Sequence, residues 1–193
     1  SNQLANALIA QGVRPGDRVG IYLNKSPDAI VSIFGILKTG ACYVPVDANA
    51  PGERLVEIAR QLAFPALITS AGLHGKLGSS LREDCPETKI FFVDGLPGDV
   101  GSQAWFTFAE SLASQSTEPP TVPLTDHDLA YILFTSGSTG TPKGVMLSHL
   151  NSLTFVNWAA ETFAITSDDR LSNHAPFNFD LSVFDIFVAM KAG

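Results

Sequence analysis

Apolar and polar positions alternate along this chain in blocks whose period switches between that of strands and that of helices. Residues 18–23 (RVGIYL) read as a short apolar strand. Residues 26–39 read as a helix: Ser26 is placed to cap it, Pro27 fits the first turn, Asp28 faces the positive end of the dipole, and Gly40 stops it. Its apolar residues Ala29, Ile30, Val31, Ile33, Phe34, Ile36 and Leu37 cover nearly all sides, the pattern of a buried helix. Residues 43–46 are strand-like but interrupted by Pro45, hence short or at a sheet edge. A second helix is expected over 51–62, a strand over 66–69, a weaker helix over 72–81 and a strand over 89–93 (KIFFV). Residues 96–102 look like a loop, and 116–123 form a Pro/Thr-rich connector.

Beyond the connector, an apolar run at 130–134 predicts a strand leading into a ten-residue loop, and 145–147 predict a strand returning from it. Ser148 can cap a helix running from His149 to about Phe163. A short strand is expected over 170–174 and a final helix over 181–191, apolar at Val183, Phe184, Ile186, Phe187, Ala189 and Met190. Alternation of this kind implies an α/β fold: a mixed, mainly parallel sheet layered with helices. No internal repeat and no true domain boundary stand out, although the connector could set a first layer apart from the phosphate-loop region.

Composition narrows the picture. The net charge is −7, from 19 acidic and 12 basic residues, and no Lys/Arg stripe appears. That argues against nucleic acid as a partner. No apolar run approaches the roughly 18 residues of a membrane span, and no signal peptide opens the chain, so no membrane partner and a cytoplasmic location are expected. Cys42 and Cys85 have neither disulfide-framework nor metal spacing, and read as free thiols.

The ten residues 135–144 (TSGSTGTPKG) carry the chemistry. They hold three glycines, five hydroxyl side chains (Thr135, Ser136, Ser138, Thr139, Thr141) and one lysine, Lys143. Glycine lets backbone N–H groups approach a ligand, hydroxyls add rotatable donors, and a lysine adds a point charge. Such a loop suits an anion with several oxygens, and a polyphosphate is the obvious candidate. It is not a Walker A loop, because Pro142 and Gly144 stand where that pattern needs Gly and Ser/Thr. A disordered Ser/Gly linker fits less well, since apolar runs expected to be buried strands flank it on both sides.

TSGSTGTPKG followed by GVMLSH resembles the phosphate loop of the adenylate-forming superfamily, whose members include acyl-CoA synthetases, luciferases and the amino-acid adenylation domains of peptide synthetases. Residues 37–55 (LKTGACYVPVDANAPGERL) resemble an early motif of that family. Residues 177–189 (FNFDLSVFDIFVA) resemble the "FDxS" substrate-pocket motif of its amino-acid-activating members, and residues 1–8 the end of its first helix. The resemblance covers all 193 residues and implies that they form the N-terminal portion of a longer adenylation domain. A lid domain and the motifs for adenine, ribose and the catalytic lysine of the lid are then expected downstream, as a truncation would leave them.

The implications of the resemblance can be placed on residues. The reaction would activate a small carboxylic acid, especially an amino acid, as an acyl-adenylate with release of pyrophosphate, then pass the acyl group to a thiol. The cofactors would be ATP and Mg²⁺, and the acceptor the phosphopantetheine of a carrier protein or CoA. Thr135, Ser136, Gly137, Ser138, Thr139, Gly140, Thr141 and Lys143 would bind the nucleotide phosphates, with Lys143 contributing catalytic charge and Thr135 helping to hold the metal. Phe179 and Asp180 would bind substrate, Asp180 by pairing with an α-ammonium group. Blander readings stand beside these. Lys143 could be an ordinary exposed lysine, Asp180 a helix N-cap, and Phe179 a core residue. His149 could be a helix-start residue and His174 a packed one, while Asp47 reads as structural.

Three functional classes therefore remain in view: an amino-acid:carrier-protein ligase, an acyl- or aryl-CoA ligase, and a noncatalytic nucleotide- or protein-binding module. Asp180 favours the first over the second, because acids without an amino group offer it no cation.

Overall fold

The computed structural model describes residues 1–77, 79–98, 104–135 and 142–193. The chain divides into two compact units, Ser1–Leu124 and Thr125–Gly193. Sequence patterning marks no clear boundary, yet the division falls just past the connector at 116–123. That connector is not a free linker. Asn2 Nδ2 donates to the Thr117 carbonyl at 2.7 Å, and Asn6 Nδ2 to the carbonyls of Ser116 and Glu118 at 2.9 and 3.0 Å. These amides satisfy backbone acceptors that an extended segment cannot satisfy internally.

The first unit is built on five parallel strands: β1 (Arg18–Tyr22), β2 (Cys42–Pro45), β3 (Ala66–Thr69), β4 (Lys89–Phe92) and β5 (Trp105–Thr107). Within it they lie in the order β5-β4-β3-β1-β2. Helices α1 (Asn2–Ala10), α2 (Pro27–Lys38), α3 (Gly52–Leu62), α4 (Ala71–His74), α5 (Ser80–Asp84) and α6 (Phe108–Ala113) complete the unit. Strands buried on both faces read as continuous apolar runs, and Val19, Ile21, Leu67, Ile68, Ile90 and Phe91 are all at most 2% exposed. Each such side chain contributes about 1.5–3 kcal/mol relative to exposure.

Helix ends obey the expected chemistry. The Ser26 hydroxyl accepts from Ala29 N at 3.2 Å, with Pro27 in the first turn, and Gly40 comes after the end of α2 at φ +79°. The close seat of α1 on α2 depends on Gly35, where a Cβ would meet the Leu4 side chain at 2.7 Å. At the end of α3, Arg18 donates Nε and Nη2 to the Leu62 carbonyl at 2.9 and 2.6 Å, a cation placed at a negative dipole end.

Three expectations for this unit change. The single helix over 72–81 is two short helices, α4 and α5, because the chain turns after Gly75 before Ser79 starts the second. β5 and α6 carry no sequence signal strong enough to predict them. The strand expected to be short because of Pro45 is indeed four residues long, and all four are buried.

The second unit starts with β6 (Leu129–Thr135) and β7 (Lys143–Ser148), an antiparallel pair. With the parallel pairs of the first unit, this gives the mixed, mainly parallel sheet content expected. Helix α7 (His149–Thr162) comes directly after, and its start carries a capping box. Ser148 Oγ accepts from Asn151 N at 3.2 Å, and Asn151 Oδ1 accepts from Ser148 N at 3.0 Å. The last helix runs from α8 (Leu181–Val183) through a π-helical turn (Phe184–Val188) into α9 (Ala189–Ala192). Two expectations fail here. Residues 170–174 form no strand: they are largely exposed, and no strand among the described residues pairs with them. The return strand is not buried either, with Val145 48% and Met146 65% exposed.

Candidate active site

The candidate residues fall on three pieces of the second unit. The first is the mouth of the loop. Thr135 ends β6 and Lys143 begins β7, so the two face each other across the ladder. The Thr135 hydroxyl donates to the Lys143 carbonyl at 3.5 Å, and both residues are exposed. Lys143 is thus a strand residue, where the sequence pattern places it in the loop. The antiparallel pairing extends to this last rung and fixes where the loop leaves and returns. Ser136, Gly137, Ser138, Thr139, Gly140 and Thr141 lie outside the described residues.

The second piece is the pocket motif. Phe179 is 53% exposed, so it is not a core residue. Asp180 precedes α8 at its N-cap position but makes no side-chain cap hydrogen bond, and it too is exposed. Its backbone lies at φ −60°, ψ −29°, already helical, whereas a capping side chain needs an extended N-cap residue. The carboxylate is therefore not occupied as a cap.

The third piece has no signal in the sequence. Tyr131, in the middle of β6, is 4% exposed. Burial raises its phenol above the usual range; a hydrogen bond with the Ser152 side chain works the other way, and the negative charge of Asp180 raises it further. The charge of Asp180 on the pocket motif thus acts on a phenol in the strand leading into the loop. Only folding couples them, since they lie 49 positions apart in the sequence.

The two histidines differ. His149 opens α7, donating its backbone N–H to the Asp128 carbonyl at 3.0 Å. Its Nε2 is buried with no hydrogen-bond partner, and burial lowers its pKa, with Asp128 opposing. His174 is exposed, on the segment before the pocket motif. In the first unit Asp47 is structural, accepting from Asn49 N at 2.9 Å within its own turn. Cys42 and Cys85 are buried and not joined in a disulfide; burial, offset in part by Arg18, pushes the Cys42 thiol up to about 11.

Among the described residues no group of three or more His, Cys, Asp or Glu side chains could hold a metal ion. Thr135 offers one neutral oxygen. That donor suits a magnesium ion carried in on phosphates and completed by waters. No helix among the described residues is long and apolar enough to cross a membrane.

The family model described as "AMP-binding enzyme" matches residues 1–193. This chain belongs to that family. Among its relatives is an L-proline--[L-prolyl-carrier protein] ligase of Pseudomonas fluorescens, 40% identical over 187 residues. That alignment takes in 96% of this chain and 35% of the relative, so the chain spans about a third of that ligase. The phosphinothricin tripeptide synthetase PhsC of Streptomyces viridochromogenes is 37% identical over 195 residues, covering 100% of this chain and 16% of that protein. Among solved structures, the AMPPNP-bound form of the nonribosomal peptide synthetase FmoA3 superposes with a TM-score of 0.79 at 28% identity, over 100% of this chain and 18% of that one. ATP-bound MatB from Rhodopseudomonas palustris gives 0.83 at 25% identity, over 99% and 36%. Family membership accounts for the match of the loop, the early motif and the pocket motif at once.

Proposed function

We propose that this chain is the N-terminal portion of the adenylation domain of an ATP-dependent ligase that activates an amino acid and loads it onto a carrier protein. In the first step a substrate carboxylate oxygen attacks the α-phosphorus of ATP, the bond to the β-phosphate breaks, and pyrophosphate leaves. In the second a thiolate displaces AMP from the acyl-adenylate. The protein's part in the first step is positioning and charge stabilisation. Residues 135–143 hold the β- and γ-phosphates. Lys143, exposed where the loop returns, would offset charge on the departing pyrophosphate, and Thr135, opposite it in the ladder, would help to hold the nucleotide's magnesium ion. Phe179 presents an apolar face to the substrate, and Asp180 meets its α-ammonium group.

One observation carries the choice of an amino acid over a plain carboxylic acid. The Asp180 carboxylate is exposed and makes no cap bond. An anion left available beside a pocket motif suits a cationic substrate group. The similarity to prolyl-carrier-protein ligases supports the same reading and favours phosphopantetheine over CoA as acceptor.

The test is a screen of the full-length ligase for substrate-dependent exchange of pyrophosphate into ATP. Exchange with one or a few amino acids, and transfer of the product to a phosphopantetheinylated carrier, is the expected result. Exchange with acids lacking an amino group, with transfer to CoA, would replace this reading with the CoA-ligase one.

A further inference from the structure

The segment that presents Phe179 and Asp180 has no regular structure, yet the helix after it pins it at several points. Asp185 Oδ2 accepts from Asn173 Nδ2 and from Ala175 N, both at 3.4 Å. Ser182, 2% exposed, donates its hydroxyl to the Phe177 carbonyl at 3.3 Å. The backbone N–H groups of Ser182 and Val183 return to the carbonyls of Phe179 and Asp180, each at 3.0 Å. Ala175 and Phe177 are 4% and 7% exposed, while Phe179 and Asp180 face outward. The segment is therefore anchored at 173–177 and displays 179–180.

Asp185 sits in the π-helical turn Phe184–Val188. A π turn inserts one residue into the helical register, so side chains on either side of it face differently from those of a continuous α-helix. Here Val183, Ile186 and Val188 are buried, and Asp185 is left half-buried with its carboxylate turned back toward residues 173–175. Such turns are rare and concentrate at functional sites. A charged acceptor also makes these long bonds stronger than a neutral one would.

We infer that Asp185 is a positioning residue for substrate: its carboxylate fixes residues 173–175 and thereby sets where Phe179 and Asp180 stand. The inference rests on the proposed role of Asp180. Both tether bonds end on one oxygen, so an amide oxygen in the same place can accept them. Asp185→Asn keeps the tether, and Asp185→Ala removes it.

In the full-length ligase, Asp185→Ala should raise the KM for the amino acid about tenfold and leave the KM for ATP unchanged, while Asp185→Asn stays within about twofold of wild type. Amide hydrogen exchange at Ala175 should accelerate in Asp185→Ala and not in Asp185→Asn. Asn173→Ala, which removes one donor from an exposed side chain, should raise the same KM by about two- to threefold, and it decides the matter if Asp185→Ala does not fold. An unchanged amino-acid KM in Asp185→Ala, or in Asn173→Ala should the former not fold, overturns the inference. So does an Asp185→Asn enzyme as impaired as Asp185→Ala, since that result makes the charge itself a substrate contact. If the wild-type enzyme activates only acids without an α-amino group, the reading of Asp180 falls, and the tether is still judged by the KM for that acid.

Discussion

Lys143 stands at the first rung of β7, opposite Thr135, with its side chain in solvent. A lysine held there meets phosphate charge and not the amino acid. In the full-length ligase, Lys143→Ala should slow amino-acid-dependent pyrophosphate exchange roughly 10- to 100-fold, about 1.5–3 kcal/mol for one charge-assisted contact, and leave amino-acid binding intact. Unchanged exchange at both low and saturating ATP contradicts the role. His149 yields a prediction of a different kind. Burial lowers its pKa in the folded chain, so around its ordinary value near 6.5 the unfolded chain binds more protons. This residue's contribution to stability is then complete above that value and is lost as pH falls from about 6.5 toward the lower folded pKa. A titration of the His149 ring by NMR should place its midpoint below that of an exposed histidine; a midpoint at or above it contradicts the burial argument. The loop chemistry is legible in the sequence because glycines, hydroxyls and a lysine within ten residues act locally. Tyr131 and Asp185 are not legible there, because the burial of the one and the hydrogen bonds of the other to Asn173 and Ala175 arise only through folding.

Elements are legible where their signals are local. Ser26, Pro27, Asp28 and Gly40 mark α2 from end to end, and Ser148 marks the start of α7. Ser148→Ala should lower stability to denaturant by about 1 kcal/mol, since it removes the hydroxyl that accepts from Asn151 N and leaves only the backbone half of the box. A denaturation midpoint equal to wild type would show that the hydroxyl contributes nothing. Elements that exist only through pairing are missed or misplaced. β5 is three residues long and is defined by its rungs on β4, from Ile90–Trp105 to Phe92–Thr107. Residues 170–174, expected as a short strand, have among the described residues no strand partner to make them one. The π turn has no sequence signature either: 181–191 reads as an ordinary amphipathic helix, and the inserted residue shows only in the hydrogen-bond register.

For the whole molecule, exposed apolar surface is unevenly shared between the two units. Met146, Trp158, Phe163, Leu181 and Met190 are each more than half exposed, and all belong to Thr125–Gly193. This uneven exposure agrees with the proposal that these residues belong to a larger adenylation domain. The proposal also predicts the behaviour of the 193-residue chain alone. On that proposal it would hold the phosphate loop, while the adenine and ribose contacts would come from residues outside it. Purified by itself it should bind ATP with a Kd no tighter than about millimolar, roughly 4 kcal/mol, and catalyse no exchange. Exchange by the isolated chain, free of contaminating enzyme, contradicts this.

The central claim is that Asp180 selects for an α-amino group. An uncharged acid in the same place leaves the carboxylate without its charge-assisted partner. Because Asp180 is exposed, the pair is worth less than a fully buried one, so the expected discrimination is about 10- to 100-fold and not larger. The most direct measurement pairs exchange kinetics for the preferred amino acid and its des-amino analogue with the melting temperature, in wild-type ligase and in Asp180→Ala. The account predicts that the variant loses most of the preference and melts close to wild type, since Asp180 makes no cap bond. A variant that keeps the full preference, or that shows only a lowered melting temperature, contradicts it.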